Sequence, residues 1–228
     1  MRPFCLLLVV LLLPACNALG GESEDASPVI NIALLAALQQ PTYTYTVTFH
    51  ATWSSATHSG GTLGIPTNPH FSPPIGGTHS SSQLFWQPGA TASNGIEQMA
   101  ERGDPFPFAA EIEATGLSAN ILGIGPLDSP GTMIMTFSTS AATPLVTLVT
   151  MLAPSPDWFV GVHGLSLAEG GTFVQEKTVS LLVYDAGTDS GTTFTAADSD
   201  TNPKEAIRLI TDTPLANNPV GTFTFTRQ

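Results

Sequence analysis

Tyr43-Thr44-Tyr45-Thr46-Val47-Thr48-Phe49 alternates large apolar side chains with threonine. A period of two places every second residue on one face of an extended chain, so the stretch reads as a half-buried β-strand. Thr222-Phe223-Thr224-Phe225-Thr226 repeats the pattern near the far end and sends both phenylalanines into a core. Between them, further β-rich runs cover residues 133–139, 145–152, 159–165, 179–184 and 207–211. Clusters of Gly, Pro, Asp and Ser divide these runs. Short strands separated by turn residues predict an all-β domain of sandwich type.

Two segments break the strand pattern. Residues 94–102 read as a helix: Ser93 or Asn94 can cap it, Glu97 falls in its first turn, and Gly103 stops it. A second short helix is predicted over 108–115, ended by Gly116. Residues 54–92 are rich in Ser, Thr, Gly, Pro and His and predict a long irregular loop with several turns. No internal repeat occurs.

The beginning of the chain is of a different kind. Met1-Arg2-Pro3-Phe4 is short and basic, Cys5 to Leu13 is unbroken apolar sequence, and Pro14-Ala15-Cys16 leads into the acidic stretch Gly20-Gly21-Glu22-Ser23-Glu24-Asp25. That order is a secretory signal. Its apolar run falls short of the roughly 20 residues a membrane span needs. Leu13-Pro14-Ala15-Cys16 resembles a bacterial lipobox, in which the cysteine becomes the lipid-bearing first residue. The alternative is a plain signal cleaved slightly later, for instance after Ala18. The expected organisation is therefore a signal over 1–16 ending at the lipidated Cys16, a tether over 17–40 and one β domain over 41–228. Within the tether, residues 29–40 can form a short helix.

Both cysteines, Cys5 and Cys16, lie in the signal, so the β domain has no disulfide. About 190 residues bury a sufficient core without one. The chain carries 18 acidic residues against 6 Lys and Arg. Nucleic acid requires clustered basic residues, and an anionic lipid surface likewise. Neither is an expected partner, and contact with a membrane is expected through the lipid anchor alone. An acidic surface is compatible with cations.

Tyr184-Asp185-Ala186-Gly187-Thr188-Asp189-Ser190-Gly191 puts two carboxylates four residues apart on a glycine-rich turn after a strand. They repel unless something positive lies between them. Lys177, Lys204 and Arg208 are the nearby basic residues, and a hard cation is the simpler partner. Calcium accepts six to eight oxygens in irregular geometry. Asp157, which opens a strand after Pro154-Ser155-Pro156, is a third candidate. Aspartates also cap turns, so on spacing alone both readings stand. The loop is not an EF-hand: counted from Asp185, Ser190 and Ala196 occupy the positions that need Gly and Glu. His70 and His79 flank the turn 71–77 and either organise that loop or take part in chemistry. No Gly-x-Ser-x-Gly elbow, P-loop or dinucleotide fingerprint is present.

Several of these segments, taken in order, resemble the spondin domain, the N-terminal module of F-spondin and mindin. They are Tyr45 to Trp53-Ser54, the loop from His70 to His79, Trp86, Ala92-Ser93-Asn94-Gly95, and Ala100-Glu101-Arg102-Gly103. The two most specific are Pro154-Ser155-Pro156-Asp157-Trp158-Phe159-Val160-Gly161-Val162 and the stretch from Tyr184 to Gly191. The resemblance covers roughly residues 41–228. It implies an antiparallel eight-stranded β-sandwich similar to calcium-dependent lipid-binding sandwiches. It also implies one Ca2+ at a rim, with Asp157, Asp185 and Asp189 as ligands. The chain departs from animal members in lacking their cysteine near Ala168 and the glutamate some of them carry before Leu145. The function expected from sequence is an exported, membrane-tethered, calcium-binding recognition or adhesion module with a protein or glycan ligand. The alternatives are a hydrolytic enzyme built on the His70/His79 loop and a purely structural envelope protein.

Overall fold

A computed structural model describes residues 41–61 and 63–228. The expected signal, the lipidated Cys16 and the tether helix lie outside these residues. Along the chain run β1 (Thr42–Ala51), β2 (His70–Phe71), β3 (Ile75–His79), α1 (Asn94–Arg102), α2 (Phe106–Ala114), β4 (Ile121–Leu122) and β5 (Leu127–Asp128). Then follow β6 (Gly131–Ser140), β7 (Leu145–Ala153), β8 (Trp158–Ser166), β9 (Ala168–Glu169), β10 (Thr172–Phe173) and β11 (Glu176–Ser180). The last three are β12 (Tyr184–Asp185), β13 (Arg208–Leu209) and β14 (Gly221–Arg227).

The strands form an all-β sandwich of antiparallel sheets. One sheet has the order β11-β14-β1-β6. The two alternating threonine strands are neighbours in it, with Phe49 opposite Phe223 and Val47 opposite Phe225. Tyr45, Val47, Phe49, Phe223 and Phe225 are fully buried on one face, as the period of two requires. The second sheet runs β13-β12-β8-β7-β2-β5, with β3 also paired to β7 and to β4. Several of its members are two-residue segments, so the sandwich is more finely divided than eight strands.

β7 explains why its sequence does not alternate. Val146, Leu148 and Leu152 face the core between the sheets. Val149, Met151 and Ala153 face a second cluster, in which Ile96, Met99, Phe108 and Ile112 of the two helices cover the outer side of the sheet. A strand buried on both faces reads as a continuous apolar run.

The helices form where their caps place them. The Ser93 side chain accepts from the Ile96 amide, and Gly103 ends α1 in the left-handed region at φ 65°. Glu111 of α2 adds a second cap, accepting from the Gly95 amide at 2.6 Å and from the Ser93 hydroxyl at 2.6 Å. α2 starts two residues before the expected 108, with Pro105 leading into its first turn.

Two expectations are corrected. The stretch 179–184 is not one strand. β11 ends at Ser180, and β12 begins at Tyr184 in the other sheet. Leu181 and Val183 are buried where the chain crosses between sheets, which gives the same apolar signature as a strand. The stretch 54–92 is not wholly irregular, because it contains β2 and β3. Gly76 and Gly77 look like a turn but serve close packing. A Cβ on Gly76 would lie 2.0 Å from the Thr147 carbonyl oxygen, and one on Gly77 2.7 Å from that of Ser118.

Candidate functional site

The pairing of β8 with β12 sets the site. Asp185 lies opposite Trp158, so Asp157, one residue earlier, comes beside the turn that leaves β12. The Ala186 amide donates to the Asp157 carbonyl at 3.1 Å and locks this arrangement. Gly187 carries the turn at φ +74°, where a Cβ would meet the Glu205 carbonyl oxygen at 2.6 Å. Only glycine fits such a position without strain. Asp157, Asp185 and Asp189 thus share one rim, all of them buried.

Asp157 is the deepest of the three, with no exposed surface. Its Oδ2 accepts from the Thr188 amide at 2.8 Å, the Asp189 amide at 3.1 Å and the Thr188 hydroxyl at 3.3 Å. Its Oδ1 is sealed from solvent and has no partner among the described residues. Burial, and next the charge of Asp185, push its pKa up from 3.8 to about 6, against the pull of the amides.

Asp185 accepts from the Gly187 amide at 2.9 Å through Oδ1, and its Oδ2 meets the Arg208 guanidinium at 2.6 Å. Burial raises its pKa and Arg208 opposes the rise. Asp189 accepts from the Gly191 amide at 2.6 Å and from the Ser199 amide at 2.7 Å. The positive neighbour that the sequence demanded for Asp185 is therefore Arg208, whose side chain is 65% exposed. Lys177 and Lys204 are engaged elsewhere, with Glu169 and Glu97.

Asp157, Asp185 and Asp189 are not among the described residues whose carboxylate oxygens all lie within 4.8 Å of one another, and the feature that bears on a cation here is Asp157 Oδ1. A fully buried carboxylate with an orphaned oxygen beside two more carboxylates is a costly arrangement without a cation. The donor set is all oxygen, which suits a hard ion and not zinc.

Sequence reasoning missed a further group. One carboxylate oxygen each from Glu101, Asp198 and Asp200 lie within 4.8 Å of one another. Glu101 belongs to α1 and the two aspartates to the loop before β13. Their distance along the chain hid them. The only sequence signal was an acidic residue in the last turn of a helix, where the dipole disfavours it.

His70 and His79 do not form a pair. His70 lies opposite Ala153 and His79 opposite Leu145, at the two ends of β7. Eight residues of strand separate them, about 26 Å. His70 Nδ1 bonds the Asn68 carbonyl at 2.8 Å. His79 is buried, with Nδ1 on the Ser80 carbonyl and Nε2 on the Thr147 hydroxyl, each at 2.8 Å. Both rings hold their loops.

The Spondin_N family model matches residues 43–225. Human spondin-2 is 33% identical over 238 aligned positions, which cover 99% of this chain and 66% of that protein. Rat spondin-2 is 32% identical over 97% of this chain and 64% of its own length. Bovine spondin-1 is 34% identical over 77% of this chain and 23% of its length. The chain thus spans just under two thirds of the length of the spondin-2 proteins and about a quarter of spondin-1.

Proposed function

From the premise that the chain belongs to the spondin N-terminal domain family, we propose that it is an exported, membrane-tethered recognition module whose rim loops are set by calcium. Asp157, Asp185 and Asp189 are the ligands. Asp157 Oδ1, buried and unpaired, carries the reading. Bound Ca2+ supplies the positive charge that Asp157 and Asp189 otherwise lack, Asp185 being paired with Arg208. Arg208 is the rival for Asp185 and swings into solvent when the ion takes its place. The turn from Gly187 to Gly191 and the loop that reaches Ser199 are tied to Asp189, so the ion and the loops become ordered together. The ligand of the module is a protein or glycan that meets these loops.

A binding role is favoured over hydrolysis because the two histidines lie at opposite ends of β7, each bound to its own loop. Cys16 is the proposed lipid attachment point.

Calorimetric titration of the full-length protein with Ca2+ tests the reading. The wild type is expected to bind, and Asp185→Ala combined with Asp189→Ala to lose binding. Equal affinity in the two proteins would remove the site. Cys16→Ser is expected to move the protein out of the membrane fraction; an unchanged distribution would remove the tether and leave a freely secreted domain.

A further inference from the structure

Two strand edges without a neighbour meet at one groove. β8 is paired with β7 from Phe159 to Ser166, but β12 accompanies it only at Trp158 and Phe159. Before Tyr184 the chain is still crossing from the other sheet. From Val160 to Ser166 the second side of β8 therefore has no strand among the described residues. β11 ends the first sheet and is paired with β14 alone. Gly161 and Leu165 of β8 and Val179 and Ser180 of β11 line a groove of 230 Å³, with Leu182 and Tyr184 between them.

Backbone groups on both walls are left free. Ala186 donates its amide to the Asp157 carbonyl, so Asp157 and then Phe159 turn their backbone toward β12. Backbone groups in a strand point alternately to its two sides. Gly161 is the next residue to face that way, and no strand receives it. On the other wall, Leu181 donates its amide to the Gly221 carbonyl at 2.9 Å and accepts from the Val220 amide at 3.0 Å. Ser180, one residue earlier, thus turns its N–H and C=O away from β14.

The side chains limit what can enter. Free sheet edges are usually blunted by charged residues. β11 carries Glu176 and Lys177, but β8 carries no charged residue from Trp158 to Ser166. On a chain with 18 acidic residues, no carboxylate, ammonium or guanidinium lines the groove beyond β12. Leu165, Val179 and Leu182 are apolar and only half-buried there. Trp86 stiffens the outer side, packing edge-on against His163 at 4.8 Å and Tyr184 at 5.2 Å. His163 and Gly164 both oppose Thr147, and this bulge ends the regular edge. The strand offered from Val160 to His163 is about 10 Å long.

We propose that this groove binds an extended, uncharged peptide segment of a partner protein, which adds to the free edge of β8 as a short strand. Free N–H and C=O groups are matched by a peptide backbone, and pockets for alternate side chains supply selectivity. A glycan would find only the hydroxyls of Ser180 and Tyr184 and the His163 ring to bond. A second copy of the domain would have to present its own β8 edge from inside the same groove. The inference goes beyond the rim reading above and does not rest on calcium.

The test is titration of a dye-labelled, end-blocked peptide of alternating threonine and valine into the full-length protein in chelator, read by fluorescence anisotropy. Chelator keeps the outcome independent of the calcium reading. The wild type is expected to bind the peptide and to slow amide hydrogen exchange at Gly161. The same peptide with N-methylated backbone amides is expected to bind about tenfold more weakly, having lost its donors. Ser180 is exposed on an edge strand, so Ser180→Trp fills the groove without disturbing the core. It is expected to weaken binding by about tenfold, and Ser180→Ala to leave it unchanged. Equal affinity for the N-methylated peptide would overturn strand addition. No binding to the wild type, or equal binding to Ser180→Trp, would overturn the groove. A wild type that sediments as a dimer beside a monomeric Ser180→Trp would give the groove to a second copy and overturn the peptide as its occupant.

Discussion

Asp157 gives up all contact with water, yet its Oδ1 has no partner among the described residues. Its carboxyl holds a proton up to about pH 6 in the folded chain, whereas the ordinary value is 3.8. Between these values the folded state binds more protons than the unfolded one, so stability falls as pH rises. The contribution is present below about pH 4 and gone above about pH 6, a loss on the order of 3 kcal/mol. In chelator, the melting temperature is expected to fall across this window, and Asp157→Asn to flatten the fall. Calcium binds the deprotonated form and is expected to reverse the slope in the wild type. A melting curve series from pH 4 to 7 with and without calcium checks the sign. Arg208 offers a second residue-scale test. It competes for Asp185 from an exposed position, so Arg208→Gln is expected to tighten calcium binding by about 1 kcal/mol, roughly fivefold. Weaker binding in that variant would mean that Arg208 helps to hold the ion.

Elements decide which of these residues can meet. β8 and β12 lie side by side, and their register fixes Asp157 next to the Gly187 turn. The long alternating strands β1 and β14 were legible from sequence because one face is buried and the other is not. The span of α1 was legible because Gly103 stops it and a capping residue precedes it; sequence left that cap open between Ser93 and Asn94, and the structure gives it to Ser93. β3 was not. All five of its residues are buried, so no alternation exists, and its glycines imitate a turn. Their role is to let β7 and the stretch at Ser118 approach, which only tertiary structure reveals. Gly76→Ala is therefore expected to destabilise the sheet by about 3 kcal/mol or more, because the added carbon meets backbone that cannot step aside. Chemical denaturation measures this. Ser93→Ala is expected to cost about 1 kcal/mol through the lost cap on α1.

At the scale of the whole molecule, two supports converge on one acidic rim. The inter-sheet core holds β8 and, through it, the three aspartates of the two long motifs. The helices, packed on the outer face of the same sheet, bring Glu101 to the rim's other side. The three aspartates were readable because the motifs that carry them are contiguous in sequence. Glu101, Asp198 and Asp200 come from segments almost a hundred residues apart and are joined only by folding. The most direct measurement of the central claim is thermal unfolding of the full-length protein in calcium and in chelator, wild type beside Asp157→Asn. The wild type is expected to melt higher in calcium and the variant to show a clearly smaller rise. A calcium-induced rise of equal size in the variant, or none in the wild type, would contradict a cation held at this rim by Asp157.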